Sequence, residues 1–326
     1  KVQTLDDLTP VIELYHHTVA AGQYDEAIRL YHDRIWKVVY FQFGLYQLET
    51  ELLVAVFRDD PQTFNTLKDE SWKAWALNEL AGSLGMSGQP LQAVVTLQAA
   101  LKIAVKHGDK QNLAIGLSNL ANQQVVIGAL RLAEINLFRA LGLGREIEDE
   151  FIEAAVCQDL GWLLAYRGAW EKADRVNKDG IDLARKLVNR QLECTIVVNR
   201  ALRALMMSDT SLAFAYAQQG HDLAEIPFPG IGKLPRDVIR KDWILGVAHR
   251  VTNDLDAADS HLTEALTRCR SINLVEFEAT ILLDLARLRR DQTRSFGLGL
   301  QDDTVAEELR LAQEALRITE RSGYVL

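Results

Sequence analysis

The chain has 326 residues, 48% hydrophobic and 25% charged, the balance of a folded globular protein and not of a disordered or collagen-like one. Its net charge of -9 works against nonspecific binding to DNA or RNA, and no apolar run approaches the roughly 18 residues that a helical membrane span needs. Three lone cysteines, Cys157, Cys194 and Cys269, suit neither a disulfide framework nor a zinc site and point to a reducing cytoplasm.

In chain order, a first helical hairpin is predicted over 8–34, legible at Val11, Leu14, Tyr15, Gly22, Ala27 and Tyr31. An irregular hairpin over 35–66 turns at Gly44 and is closed by Asp59, Asp60 and Pro61. From there a repeat takes over. Gly88 is followed five, nine and twelve residues later by Ala93, Leu97 and Ala100, and Gly128 by Ala133, Leu137 and Ala140. The same offsets from Gly168 give Ala173, Asn177 and Gly180; from Ser208, Ala213, Ala217 and Gly220; from Asn253, Ala258, Leu262 and Ala265. The first four anchors are 40 residues apart and the next is 45.

Upstream of the anchors a second apolar set recurs, as Leu77, Leu80, Ala81 and Leu84, then Leu117, Leu120, Ala121 and Gln124. Spacings of three and four on both sides predict two amphipathic helices joined at the anchor, with units over 72–108, 110–148, 151–189, 192–225, 237–270 and 277–320. Gly or Asn suits the anchor because a helix commonly ends on a left-handed residue. The small residues mark where the helices of one hairpin cross, and the leucines fill the seam to the next hairpin, so stacking is obligatory. Arg200, Asp242 and Glu308 depart from the pattern.

Two stretches break the rhythm. Residues 226–236 hold Pro227, Pro229 and Pro235 and are predicted to be a loop, and 291–303 reads as a polar insertion within the last hairpin. The ending, Arg321 to Leu326, reads as a turn and the start of another helix, and an open apolar end of that kind is expected to self-associate. With no Met at Lys1, the chain is expected to be a piece of a larger protein.

No catalytic residues, metal ligands or cofactor site are expected. Gly230-Ile231-Gly232-Lys233 lacks the remaining positions of a phosphate loop, with Pro227 and Leu234 in their place. His16 and His17 fall on different helix faces, and His249 and His261 on different helices with no third ligand.

The pattern of apolar, apolar and small residues, a turn at Gly, then Ala, large and Ala resembles the tetratricopeptide repeat over roughly 8–318. The resemblance implies an all-α, right-handed superhelical solenoid, here in a variant with a period of about 40 residues. First helices would line a concave groove whose candidate contacts are Trp75, Asn78, Asn119, Asn122, Trp162, Tyr166, Asn199, Arg240, Trp243, Arg250, Arg287 and Arg290. The tryptophans either bind a partner or pack between hairpins. The arginines either take an acidic group or are matched by nearby carboxylates.

The run from Leu14 to Ala27, with Gly128 to Glu134, Leu163 to Trp170 and His261 to Leu266, further resembles the repeat region of bacterial STAND signalling ATPases. That implies a sensor for a protein, a peptide or a small acidic ligand, preceded in the parent protein by an ATPase and an effector domain. A stand-alone receptor and a constitutive assembly scaffold are the alternatives.

Overall fold

The protein is described by a computed structural model covering residues 2–58, 64, 66–228, 231–295 and 302–325. The turn signal at Asp59, Asp60 and Pro61 lies outside the described residues, as do Pro229, Gly230, 296–301 and Leu326.

Among the described residues the fold is helical throughout, apart from one isolated bridge between Phe228 and Gly232. Helix α1 (Thr9–Ala20) pairs with α2 (Tyr24–Tyr31), which runs on through two wide π-type stretches, His32–Trp36 and Val38–Phe43, to α3 (Tyr46–Val56). Six regular hairpins follow: α4 (Glu70–Met86) with α5 (Pro90–His107), α6 (Lys110–Val126) with α7 (Leu130–Glu146), and α8 (Glu150–Tyr166) with α9 (Trp170–Lys186). They continue as α10 (Arg190–Met206) with α11 (Thr210–Glu225), α12 (Pro235–Val251) with α13 (Leu255–Ser271), and α14 (Val275–Ser295) with α15 (Asp302–Ser322). Each hairpin packs chiefly on itself and on the next, so the array stacks side by side into a right-handed superhelical solenoid.

The repeat is finer than the hairpin. Gly88, Gly108, Gly128, Glu148, Gly168, Val188 and Ser208 all have positive φ, a left-handed residue at every twentieth position, and Asn253 and Asn273 resume the series. Each breaks one helix, and where an Asp or Asn comes next it caps the following one. Asp109, Asp149, Asn189, Asp209 and Asp254 accept backbone N–H bonds from the first turns they precede. The predicted small residues Ala81, Ala93, Ala121, Ala133, Ala173 and Ala201 have no exposed surface. Leu97, Leu137 and Leu262 are buried, each contributing roughly 2 kcal/mol of transfer free energy. Leu262 packs against Gly246 of its own hairpin, where the pattern predicts the seam to the next.

The superhelix closes on itself. A Cβ on Gly44, in the second hairpin, would lie 3.1 Å from Ile272 Cδ1 at the end of the seventh, and one on Gly88, in the third, 2.9 Å from Val275 Cγ1 of the eighth. Each contact joins hairpin n to hairpin n + 5. The chain end, just past the eighth hairpin, also packs on the preceding turn, against the third and fourth hairpins. Val325 N donates to Val126 O at 2.7 Å and the Tyr324 hydroxyl donates to Gly85 O, both at first-helix C-termini of the third and fourth hairpins. Tyr46, Met86, Trp243, Val275 and Tyr324 thereby share one buried cluster that spans successive turns.

Three further expectations are corrected. Residues Pro235 and Arg236 belong to α12, proline being suited to a first helical turn where its missing N–H has no partner to lose. Asp291 to Arg294 continue α14 instead of starting an insertion, since polarity alone does not end a helix. After Ser322 the chain turns at Gly323 and packs Tyr324 inward, and Gly323 to Val325 are not helical.

Candidate functional site

The first helices α4, α6, α8, α10, α12 and α14 form the inner wall. A period of about 40 residues sets equivalent side chains of neighbouring first helices abreast, and they bond to one another. Asn119 Nδ2 donates to Asn78 Oδ1 at 2.9 Å. Ser118 Oγ and Asn122 Nδ2 both donate to Asp159 Oδ2, at 2.8 and 3.0 Å. Asn199 Nδ2 reaches Gln158 O at 3.1 Å, and Arg240 Nη1 reaches Thr195 Oγ1 at 3.0 Å. Burial pushes the Asp159 carboxyl above its ordinary range, partly offset by the bonds from Ser118, Gln158 and Asn122.

The aromatic residues divide. Trp243 is buried, donates to Asp284 Oδ2 at 2.8 Å and packs on Phe277 at 5.8 Å between ring centres, so it builds the seam between α12 and α14. Trp162 and Tyr166, one turn apart on α8, form an edge-to-face pair at 5.3 Å, and Tyr166 is 48% exposed. Trp75 is part-exposed within a cluster with His32, Trp36 and Trp72 at the N-terminal end of the wall.

At the C-terminal end every candidate arginine has a carboxylate close by or an aromatic face beneath it. Arg250 Nη1 bonds Asp291 Oδ2 at 2.7 Å, Arg287 Nη1 bonds Asp284 Oδ1 at 2.8 Å, and Arg290 Nε lies 3.8 Å from Asp291 Oδ1. Arg236, which the sequence did not single out, forks onto Glu276 at 3.1 and 2.9 Å. Arg236 and Arg240 both lie over the Phe277 ring, at 5.4 and 5.2 Å. Arg240 is part-buried beside Arg236, and burial, followed by that neighbouring charge, lowers its pKa. Glu276, Asp284 and Asp291 thus offset much of the charge of these guanidiniums locally.

The wall therefore gathers Asn78, Asn119, Asn122, Trp162 and Tyr166 into one part-exposed strip of amides and rings. Asn199 and Trp243 are buried in the wall, and Arg287 and Arg290 stand exposed at its end. Such a strip offers hydrogen bonds and ring faces to a ligand.

No protein-family model matches the sequence, and no curated protein matches it. Solved structures do match. The apo form of RapI is similar with a TM-score of 0.62 at 14% identity, over 86% of this chain and 97% of that one. A Rap protein complexed with competence and sporulation factor gives a TM-score of 0.62 at 14% identity, over 97% of this chain and 99% of that one. The chain has the tetratricopeptide-repeat fold. A STAND protein with a tetratricopeptide repeat sensor, from Pyrococcus horikoshii, is similar with a TM-score of 0.55 at 13% identity over 95% of this tetratricopeptide-type array. The array spans 43% of that protein's length.

Proposed function

We propose that this array is a non-catalytic receptor that holds a protein or peptide segment along its inner wall, and that in its parent protein it is the sensor of a STAND-type ATPase working in the cytoplasm. The observation that carries the reading is the Trp162 and Tyr166 pair, left part-exposed beside the amide ladder of Asn119 and Asn122. Aromatic rings at an otherwise polar wall supply contact area at low entropic cost, and amides supply adaptable hydrogen bonds. The compensated arginines favour a peptide over a small acidic ligand, because Asp284 and Asp291 already occupy Arg287 and Arg250.

Likeness to the Pyrococcus horikoshii STAND protein with a tetratricopeptide repeat sensor supports the sensor role; in this reading an ATPase and an effector precede the array. A second reading, a receptor that acts alone, is favoured by the near end-to-end match with the Rap protein whose complex holds competence and sporulation factor. A G-x-x-x-x-G-K-[ST] segment encoded upstream of this chain supports the first, and its absence from the complete coding sequence supports the second. In either case exposed Leu309 and Leu316 on α15 give the end of the array an apolar face for self-association.

The binding role is tested by selecting peptides from a random library on the intact chain, with a Trp162→Ala, Tyr166→Ala double variant as counter-target. Peptides that bind the parent chain and lose at least tenfold in affinity on the variant, roughly 1.4 kcal/mol, are the expected result. Peptides indifferent to the two substitutions would remove the inner wall from the function.

A further inference from the structure

The most developed cluster outside the wall's amide strip lies where the irregular second hairpin meets the third. His32 and Trp36 stand one turn apart on the π-type stretch His32–Trp36, and Trp72 and Trp75 share the first turns of α4. Local π-helical backbone is rare and concentrates at functional sites. Trp75 is perpendicular to both other indoles, at 86° and 5.5 Å from Trp36 and at 88° and 5.6 Å from Trp72. His32 is nearly parallel to Trp36, at 13° and 5.7 Å, yet 68° from Trp72. The planes of Trp36 and Trp72 are therefore also steeply inclined to each other. The three indoles form three faces of a corner, and the His32 ring sits in it, 5.0 Å from the centres of both Trp72 and Trp75.

The corner opens to solvent, since His32 and all three tryptophans are part-exposed. The exposed carboxylate of Asp33 lies at its rim beside His32, and the carboxyls of Glu79 and Glu49 lie behind it. Trp36 Nε1 donates to Glu79 Oε2 at 2.8 Å, and an indole whose N–H is held by a carboxylate presents a more electron-rich face. Behind Trp75, the Tyr31 ring lies 6.2 Å away and its hydroxyl donates to Glu49, whose second carboxylate oxygen is buried with no partner. Ring faces without lone pairs pointing inward do not suit a metal ion, and a neutral apolar guest gains nothing from the electron-rich ring faces or from the exposed Asp33 carboxylate. A weakly hydrated organic cation gains from both.

We propose that Trp36, Trp72 and Trp75 form a seat for an organic cation, a quaternary ammonium or guanidinium group, and that His32 is its built-in placeholder. His32 is a suitable occupant to displace because its polar tether is local and outward: Nδ1 lies 2.8 Å from Oδ1 of the adjacent Asp33, whose side chain is 67% exposed. Rotation of one side chain would empty the corner without moving a helix. The proposal does not depend on a peptide binding along the inner wall, and a small free cation reads the corner alone.

The test is titration of the intact chain with tetramethylammonium chloride, following tryptophan fluorescence, against sodium chloride at the same ionic strength. Saturable quenching by tetramethylammonium only is expected. His32→Ala should tighten it several-fold by removing the competitor, and Trp72→Leu, which keeps an apolar side chain without a π face, should weaken it by about tenfold. Should Trp72→Leu lose its helical circular dichroism, Trp72→Phe takes its place, with a smaller weakening expected. Identical responses to the two salts in both the parent chain and His32→Ala overturn the proposal, as does unchanged quenching in a folded Trp72 variant; the cluster is then aromatic packing only.

Discussion

Gly161 lacks a side chain so that Asn177 can occupy the space beside it: a Cβ on Gly161 would lie 2.7 Å from Asn177 Cγ. The equivalent pairs in neighbouring hairpins are Ala81 with Leu97, Ala121 with Leu137 and Ala201 with Ala217. Asn177 is fully buried, and neither its Oδ1 nor its Nδ2 has a partner. Leaving buried amide atoms unsatisfied costs about 1–3 kcal/mol. Asn177→Leu, which has the same branched shape and places the residue of the third and fourth hairpins at this position, is expected to raise stability by about that amount in urea denaturation. Gly161→Ala is expected to cost about 1–3 kcal/mol by overpacking, and the Gly161→Ala, Asn177→Ala double variant, which copies the sixth hairpin, should recover most of it. A lower midpoint for Asn177→Leu would mean that the amide is satisfied.

Val188 is a β-branched residue at φ 54°, in the same series of left-handed positions that Gly108, Gly128 and Gly168 fill. Its side chain is 78% exposed, so little packing offsets the strain. A left-handed conformation costs a residue with a Cβ roughly 1–2 kcal/mol, of which the extra flexibility of glycine in the unfolded chain takes back part. Val188→Gly should therefore stabilise the protein by up to about 1 kcal/mol. A denaturation midpoint that stays put or falls would show that the turn is not strained by its side chain.

Much of this was legible because it is local. Helix, turn and crossing positions follow from spacings of three, four and forty residues, which is why Gly88, Ala93 and Leu97 could be placed without coordinates. Some of the wall was also within reach, since a period near 40 sets Asn78 beside Asn119, Trp243 beside Asp284 and Arg250 beside Asp291. Those pairs place four candidate contacts, Asn78, Asn119, Trp243 and Arg250, in structural bonds. What spacing could not reveal is the closure of hairpin n on hairpin n + 5. That contact arises from superhelical pitch accumulated over five hairpins, and nothing near Gly44 or Tyr324 announces it. The corner around His32 was hidden for a related reason, because two of its walls lie on one side of an irregular turn and one on the other.

The closure at the chain end gives a third expectation. Tyr324 is buried and donates its hydroxyl to Gly85 O, while Val325 N bonds Val126 O. Removing the hydroxyl alone, in Tyr324→Phe, should cost about 1 kcal/mol. Tyr324→Ala should cost about 3–5 kcal/mol through the cavity it leaves, and should loosen the contact between successive turns. Hydrogen exchange should then rise at the C-terminal ends of α4 and α6 ahead of the helices of the fifth and sixth hairpins. Uniform loosening, or none, would mean that the tail does not tie the turns together.

Glu79 supplies the last. Burial pushes its carboxyl up to about 7 from 4.5, against the opposing bonds from Trp36 and Asn78. The folded chain then keeps a proton that the unfolded chain has already released, so stability falls as pH rises from about 4.5 to about 7 and levels off above. The steepest slope available is about 1.4 kcal/mol per pH unit, and the partial exposure of Glu79 reduces it. Glu79→Gln retains an oxygen to accept from Trp36 Nε1 and cannot ionise. It should match the parent chain near pH 4.5 and exceed it increasingly toward pH 7. The neighbouring buried Glu49 is also raised, by burial first and then by Glu79, so Glu49→Gln serves as the control for its share of the slope. Equal stability differences between Glu79→Gln and the parent chain at pH 5 and pH 8 would show that Glu79 is ionised in the folded protein throughout.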